Sequence, residues 1–163
     1  MSGVVTVGGE VAADRLGRVL PHEHVFCDTV REYRGDGLLN DERLAIEELA
    51  VLAGEPTTVV DLTLDEIGRD PEALRRVSEA TGVHIVMGCG GYRDPYLDRV
   101  TLDRTSVAEL ADRLVAEIEY GVGDSGIRPG IIGEIGADRR FVSAAEERVL
   151  RAAARAQRRT GLA

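Results

Sequence analysis

Gly17-Arg-Val-Leu-Pro-His-Glu-His-Val25 contains two of the three histidines in this chain, and it predicts a strand from Arg18 to His24. Side chains alternate along a strand, so His22 and His24 are expected on one face and Glu23 on the other. Two imidazoles on one face can bind one divalent metal ion, with metal–nitrogen bonds of ~2.0–2.1 Å. A His-x-His pair can also be no more than two polar residues at an exposed strand end. The concentration of histidines at the end of one strand favours the metal site.

Length, charge and cysteine content exclude several classes of protein. The 163 residues suffice for one domain with its own core, and we expect a single domain over residues 1–163. A net charge of −9 speaks against nucleic acid or an anionic membrane surface as a partner. No run approaches the ~18 apolar residues of a membrane span, and the first residues lack the pattern of a secretory signal. Two cysteines far apart, Cys27 and Cys89, are typical of a reduced, cytoplasmic protein.

The rest of the chain alternates predicted strands and helices. A hairpin over residues 4–12, with Gly8 and Gly9 in its turn, precedes the His-x-His strand. Further strands are expected at residues 57–63, 83–87 and 131–135, and loops at 27–40 and 88–91. Helices are expected at 41–53, from the Asp70-Pro71 cap to Gly82, at 107–120 behind a capping box at Ser106, and from a capping box at Ser143 to Gly161.

This βαβαβαβα order predicts a parallel sheet covered by helices. No Gly-x-Gly-x-x-Gly or P-loop motif follows the first strand, which disfavours a doubly wound nucleotide-binding domain. The remaining fold class is a parallel (β/α) barrel of the TIM type, which usually takes about 250 residues. The four βα units predicted here are therefore the first half of such a barrel, preceded by the short N-terminal hairpin.

Glu134 lies in Ile131-Ile-Gly-Glu-Ile135, an apolar strand that we expect to be buried on both faces. A lone ionised carboxylate there would cost several kcal/mol. The carboxyl ends of barrel strands meet at one mouth, so Glu134 is expected at the same rim as His22 and His24. A buried pair between Glu134 and an arginine is an equal alternative. All 20 basic residues are arginine, which excludes a lysine base or a carbamylated lysine.

Several motifs resemble the phosphotriesterase family of the amidohydrolase superfamily. They are Gly17–Val25, Asp65–Asp70, Val83–Val86, Tyr120–Arg128 and Gly130–Ile132, in order and at familiar spacing. The likeness covers essentially the whole chain and is more specific than the His-x-His pair alone.

The resemblance implies a distorted (β/α)₈ barrel with two divalent ions, usually zinc. By resemblance, His22 and His24 bind the more buried ion. Glu134 takes the place of the carbamylated lysine that bridges the ions in the best-known members, as in the subgroup with a glutamate bridge. Tyr92 and Arg93 match positions that line the substrate pocket.

Other residues receive lesser roles. The family's histidines on strands five and six and its aspartate on strand eight, the expected proton acceptor, have no counterpart here, so no catalytic residue is assigned. His84 begins its strand and is interpreted as structural. Asp61 and Asp65 lie at the end of the second strand and are expected to hydrogen-bond near the site without binding metal. Small buried thiols are the commoner case for cysteines at such positions.

The implied function is metal-dependent hydrolysis, in which a metal-bound hydroxide attacks a phosphotriester, lactone or carboxylic ester. The alternative is a non-catalytic fragment, or a half-barrel that needs a complementary chain. Three ligands cannot hold two ions, so we expect the 163-residue chain alone to be inactive. The expected partners are a small-molecule ester and, through the open sheet, a second copy or a complementary half-barrel.

Overall fold

A computed structural model of the chain describes residues 3–163. The predicted hairpin is present, with β1 (Gly3–Thr6) paired antiparallel to β2 (Gly9–Ala12). The elements that follow are β3 (Arg18–Glu23), β4 (Cys27–Asp28), α1 (Val30–Tyr33), β5 (Leu38–Leu39), α2 (Glu42–Ala50), β6 (Thr57–Asp61), α3 (Pro71–Thr81), β7 (His84–Gly91), α4 (Arg99–Arg104), α5 (Val107–Tyr120), β8 (Ile131–Ile135) and α6 (Ala144–Thr160). None of the helices in this described part is long and apolar enough to cross a membrane.

The central sheet consists of β3, β6, β7 and β8, all parallel and in that order. Each strand pairs with the strand of the next βα unit, so the spatial order equals the chain order. A doubly wound sheet would reverse its strand order at a switch point, whereas a barrel adds strands in one direction only. The predicted topology, the first four βα units of a TIM-type barrel, is confirmed.

One face of the sheet is covered by helices, and the other face lines the barrel interior. On the helix side, Ile85 packs against Leu74 of α3, and Cys89 packs against α5 and α6. On the other side, Val60 and Val86 pack against Val4 of the hairpin, which lies at the amino-terminal end of the strands. The hairpin therefore covers the end of the sheet opposite to the predicted site.

Two of the four strands contain a β-bulge close to the predicted metal ligands. In β3 the extra residue falls between Leu20 and the end of the strand, and in β8 it falls between Ile132 and Ile135. Ile132 and Ile135 consequently both pack toward α5 and α6, which strict alternation would not allow for residues three apart. The bulges thus set the orientation of the strand ends that carry His22 and Glu134.

The third barrel strand is longer than predicted. β7 extends from His84 to Gly91, so residues 88–91, expected as a loop, belong to the sheet. Glycine disfavours strands in general, but it is needed where another backbone comes close. A Cβ atom at Gly88 would lie 2.1 Å from the carbonyl oxygen of Gly133 in β8. The glycines therefore allow β7 and β8 to approach each other beside the site.

The predicted helix ends agree well with the structure. Asp70 caps α3, both predicted capping boxes are formed, and Gly82 ends α3 in a left-handed conformation. The stretch 27–40, expected as a loop, instead contains the β4–β5 ladder around α1. The short α4 was not predicted either. Both differences fall in connections with short elements, where the hydrophobic pattern spans too few residues to predict a helix or a strand.

The first barrel strand has a neighbour on only one side among the described residues. β3 pairs with β6, and every residue of β3 except Leu20 is exposed, with Val19 at 45%. At the other end of the sheet, the backbone N–H of Ile132 in β8 donates to the carbonyl of Ala163. The open side of β3 is thus the less protected edge.

The core against α3 should contribute most to stability. Leu74 is 1% exposed, so Leu74→Ala should lower the free energy of unfolding by about 2–5 kcal/mol, measured by urea denaturation. Leu44→Ala on α2 is the control, because half of that side chain is already exposed. Equal losses from the two variants would contradict this assignment of the core.

Candidate metal centre

Three predicted ligands meet at the carboxyl ends of β3 and β8. His22 Nε2 lies 3.4 Å from Glu134 Oε2, and His24 Nε2 lies 3.8 Å from Glu134 Oε1. One ligand atom from each of the three residues falls within 4.8 Å of the others. Within residues 3–163 this is the only group of three or more histidine, cysteine or carboxylate side chains that meets this criterion.

These distances fit a shared metal ion better than direct hydrogen bonds. In a tetrahedral site with bonds of ~2.0–2.1 Å, neighbouring ligand atoms lie ~3.3 Å apart. The separations of 3.4 and 3.8 Å, each measured to a different Glu134 oxygen, are close to that value or above it, and are long for hydrogen bonds. The predicted alternative, a Glu134–arginine pair, is not found among the ion pairs of the described residues, where Glu134 has imidazole partners only.

His24 is the more buried of the two imidazoles. Burial lowers the pKa of His24 below its usual value, and the positive charge of a protonated His22 would lower it further, while the Glu134 carboxylate opposes the shift. A neutral imidazole is the form that binds a metal. The environment of His24 therefore favours its ligand form.

Asp61 fixes the backbone that follows His24. Its carboxylate is fully buried and accepts hydrogen bonds from the backbone N–H groups of Val25 (2.7 Å) and Thr63 (2.9 Å). Burial raises the pKa of Asp61 to about 6, although both hydrogen bonds oppose the shift. The expected hydrogen-bonding role of Asp61 is thus observed, and it ties the end of β3 to the end of β6.

Tyr92 and Arg93 lie on the connection after β7, at the same end of the sheet. The Arg93 guanidinium pairs with Glu32, pairs with Asp138 at 2.8 Å, and lies over the rings of Tyr92 and Tyr96. Sequence reasoning missed these partners, because single acidic residues in separate strand-to-helix connections carry no local signal. Substrate binding by Tyr92 and Arg93 remains a prediction.

The remaining candidates lie outside the cluster. His84 is the first residue of β7 and lies at the opposite end of the strand from the site. Cys89 is buried, and burial raises the pKa of its thiol to about 12. Burial also raises the pKa of the Cys27 thiol. Neither thiol is poised to ionise, which agrees with the expectation that they are structural.

The fold and the cluster together define a class of protein. A parallel (β/α) half-barrel with two histidines and a glutamate at the carboxyl ends of its strands is a TIM-type half-barrel with a candidate metal-binding triad at the end where such barrels carry their active sites. The model of the phosphotriesterase family matches residues 2–163, and the chain belongs to that family. The family predicted from the sequence motifs is therefore confirmed.

Individual relatives agree with this assignment. The chain is 34% identical to human N-acetyltaurine hydrolase, over 99% of the chain and 55% of that protein. Among solved structures, it resembles a resiniferatoxin-binding protein from Rhodobacter sphaeroides, with a TM-score of 0.88 and 35% identity over 99% of the chain and 53% of the other. A mutant PTE-like lactonase from Deinococcus radiodurans gives a TM-score of 0.82 and 33% identity, over 98% and 52% of the two chains.

The share of each relative that aligns with this chain shows how much of a barrel is present. The chain spans about half the length of the curated relatives that it matches. Its four βα units correspond to the N-terminal half of their barrels. The ligands expected on later strands accordingly have no counterpart in residues 3–163.

The buried Asp61 should make stability depend on pH. The folded chain holds the Asp61 proton with a pKa of about 6, compared with 3.8 for an ordinary aspartate. Asp61 therefore adds stability below about pH 4, and this contribution, roughly 3 kcal/mol, is lost as the pH rises through about 6. In urea titrations, Asp61→Asn should show a flatter pH profile across this window than the unmodified chain. Parallel profiles would contradict the assignment.

Proposed function

We propose that the chain provides half of a metal-dependent hydrolase site, in which His22, His24 and Glu134 hold a divalent ion, with zinc as the metal. The observation that carries the proposal is the convergence of these three side chains from two strands that are not adjacent in the sheet. The donor set of two imidazoles and one carboxylate is one that zinc uses in catalytic sites.

In this proposal the two oxygens of Glu134 share one role. Oε2 is nearer to His22 and Oε1 is nearer to His24, so one carboxylate serves both imidazoles. When bound, a divalent ion in such a site lowers the pKa of a water molecule and polarises the electrophile. The His22 side chain is about half exposed, whereas that of His24 is more buried.

We propose an electrophilic small molecule as the substrate class: a phosphotriester, a lactone or a carboxylic ester. The PTE-like lactonase among the relatives supports the lactone, whereas the N-acetyltaurine hydrolase is named for an amide, which lies outside these three ester classes. Tyr92 and Arg93 would border the substrate. Because Glu32 and Asp138 already neutralise Arg93, its contribution would be the shape of the pocket wall more than a free positive charge.

We expect the 163-residue chain to bind zinc weakly and to hydrolyse little. Three ligands hold one ion incompletely and cannot hold two ions ~3.5–4 Å apart. Zinc content after dialysis and an affinity from chelator competition would measure binding, and a paraoxon-like ester and a lactone would report turnover.

Two variants separate the site from other histidines. His22→Ala should abolish the remaining zinc binding, whereas His84→Ala should leave it unchanged, because His84 lies at the far end of its strand. Zinc binding that survives His22→Ala would contradict the proposed site. Substantial turnover by the chain alone, lost in His22→Ala, would contradict the expected inactivity.

The alternative function is a half-barrel that associates with a complementary partner. Its supporting observation is an apolar groove between β3 and α2, where Leu39 is 51% exposed and Leu44 is 49% exposed. The exposed edge of β3 beside it offers unpaired backbone groups to another strand. Burying roughly a few hundred Å² of such apolar surface would contribute several kcal/mol to association.

Among possible partners, a second copy of the chain is favoured by charge. The segment from Asp41 through α2 contains four acidic residues and one arginine, whereas α6 contains five arginines and two glutamates. In a barrel closed by two half-barrels, the last helix of one copy lies beside the first helix of the other. Opposite net charges at that contact favour this pairing.

Sedimentation at micromolar concentration tests the alternative. The chain should form dimers that weaken as salt increases, since exposed charges are screened. Leu39→Glu should lower the dimer fraction, whereas Val100→Glu, at an even more exposed apolar residue of α4, should not. A compact monomer that binds no hydrophobic dye would contradict self-association, and irregular aggregates would indicate that the open sheet has no specific partner here.

A further inference from the structure

The hydroxyl of Thr63 lies between the metal site and the backbone. Thr63 follows β6 and is 1% exposed, so water does not supply its hydrogen bonds. Its Oγ1 lies 2.7 Å from the carbonyl oxygen of Phe26 and 2.9 Å from Nδ1 of His24. Both contacts are within hydrogen-bond distance.

The proton count of the hydroxyl determines the direction of both bonds. A carbonyl oxygen can only accept, so the single Thr63 hydroxyl proton is donated to Phe26. The hydroxyl must then accept from His24, which requires a proton on Nδ1. Neutral imidazole carries one N–H only, so the lone pair of His24 is on Nε2.

We propose that Thr63 is a positioning residue that fixes the tautomer of His24 with its Nε2 lone pair toward Glu134. This inference rests on the proposed metal site, because Nε2 is the nitrogen that faces Glu134 Oε1 at 3.8 Å. In the opposite tautomer a proton on Nε2 would block coordination there. Metal-binding histidines are commonly oriented by such a bond from their other nitrogen.

Thr63 is itself held in place. Its backbone N–H donates to Oδ1 of Asp61, whose Oδ2 accepts from the backbone N–H of Val25. One buried carboxylate therefore fixes both the residue that carries the hydroxyl and the residue that follows His24. The His24–Thr63 contact is set by the sheet before any metal arrives.

Imidazole nitrogen NMR of the metal-free chain tests the tautomer directly. At about pH 8, above the usual pKa of histidine, His24 should be predominantly protonated on Nδ1. Thr63→Val removes the hydroxyl at nearly constant volume and should shift His24 toward a mixture of tautomers. Thr63→Ser keeps the hydroxyl and should preserve the original signal.

Thr58→Val is the matched control. Thr58 lies on β6, is 1% exposed, and donates to the carbonyl of Leu16 at 2.7 Å, as Thr63 does to Phe26. Both valine variants lose one buried hydrogen bond to a carbonyl. Only Thr63→Val should weaken zinc or Co²⁺ binding, by about 10–100-fold in a chelator competition.

The outcomes separate this inference from the proposed function. A His24 protonated on Nε2 in the unmodified chain would overturn the role of Thr63 without any variant having to fold. An unchanged tautomer in Thr63→Val, or equal loss of metal affinity in Thr58→Val, would also overturn it. If the tautomer shifts as expected but the unmodified chain binds no metal, the metal site fails while the positioning of His24 by Thr63 holds.

Discussion

The position of the first barrel strand depends on contacts from one side. β3 has β6 as its neighbour in the described sheet, and its residues are largely exposed. The Asp61 carboxylate stabilises the carboxyl end of β3. It accepts hydrogen bonds from the backbone N–H of Val25, which follows β3, and of Thr63, which follows β6. Burying a carboxylate is costly unless its oxygens accept hydrogen bonds, so this contact works only with both donors in place. The geometry of His24 depends on it.

Much of the architecture could be predicted from local signals in the sequence. Capping boxes and Gly82 located the helices, and the alternation of elements gave the parallel order. The predicted ligands met because parallel strands end at a common edge, which is a property of topology and needs no side-chain detail. The resemblance to the family predicted a metal-bridging role for Glu134, which the sequence of its own strand left undecided.

The remaining features depend on contacts between distant residues. Strict alternation cannot reveal a β-bulge, which depends on how two strands pair, so the orientations near Leu20 and Ile135 were not predictable. The strand at residues 88–91 could not be predicted, because it depends on the nearby backbone of β8, which is 40 or more residues away in sequence. The ion pairs of Arg93 likewise link three connections that are distant in sequence, those that follow β3, β7 and β8.

The chemical identity of Glu134 has a consequence for how the site is assembled. A carbamylated lysine acquires its carboxylate only after synthesis, by reaction with carbon dioxide. The carboxylate of Glu134 is instead encoded, and the sequence contains no lysine to modify. Loading of metal at these residues would therefore be independent of dissolved bicarbonate, and the site would be as complete in carbon dioxide-free buffer as in a growing cell.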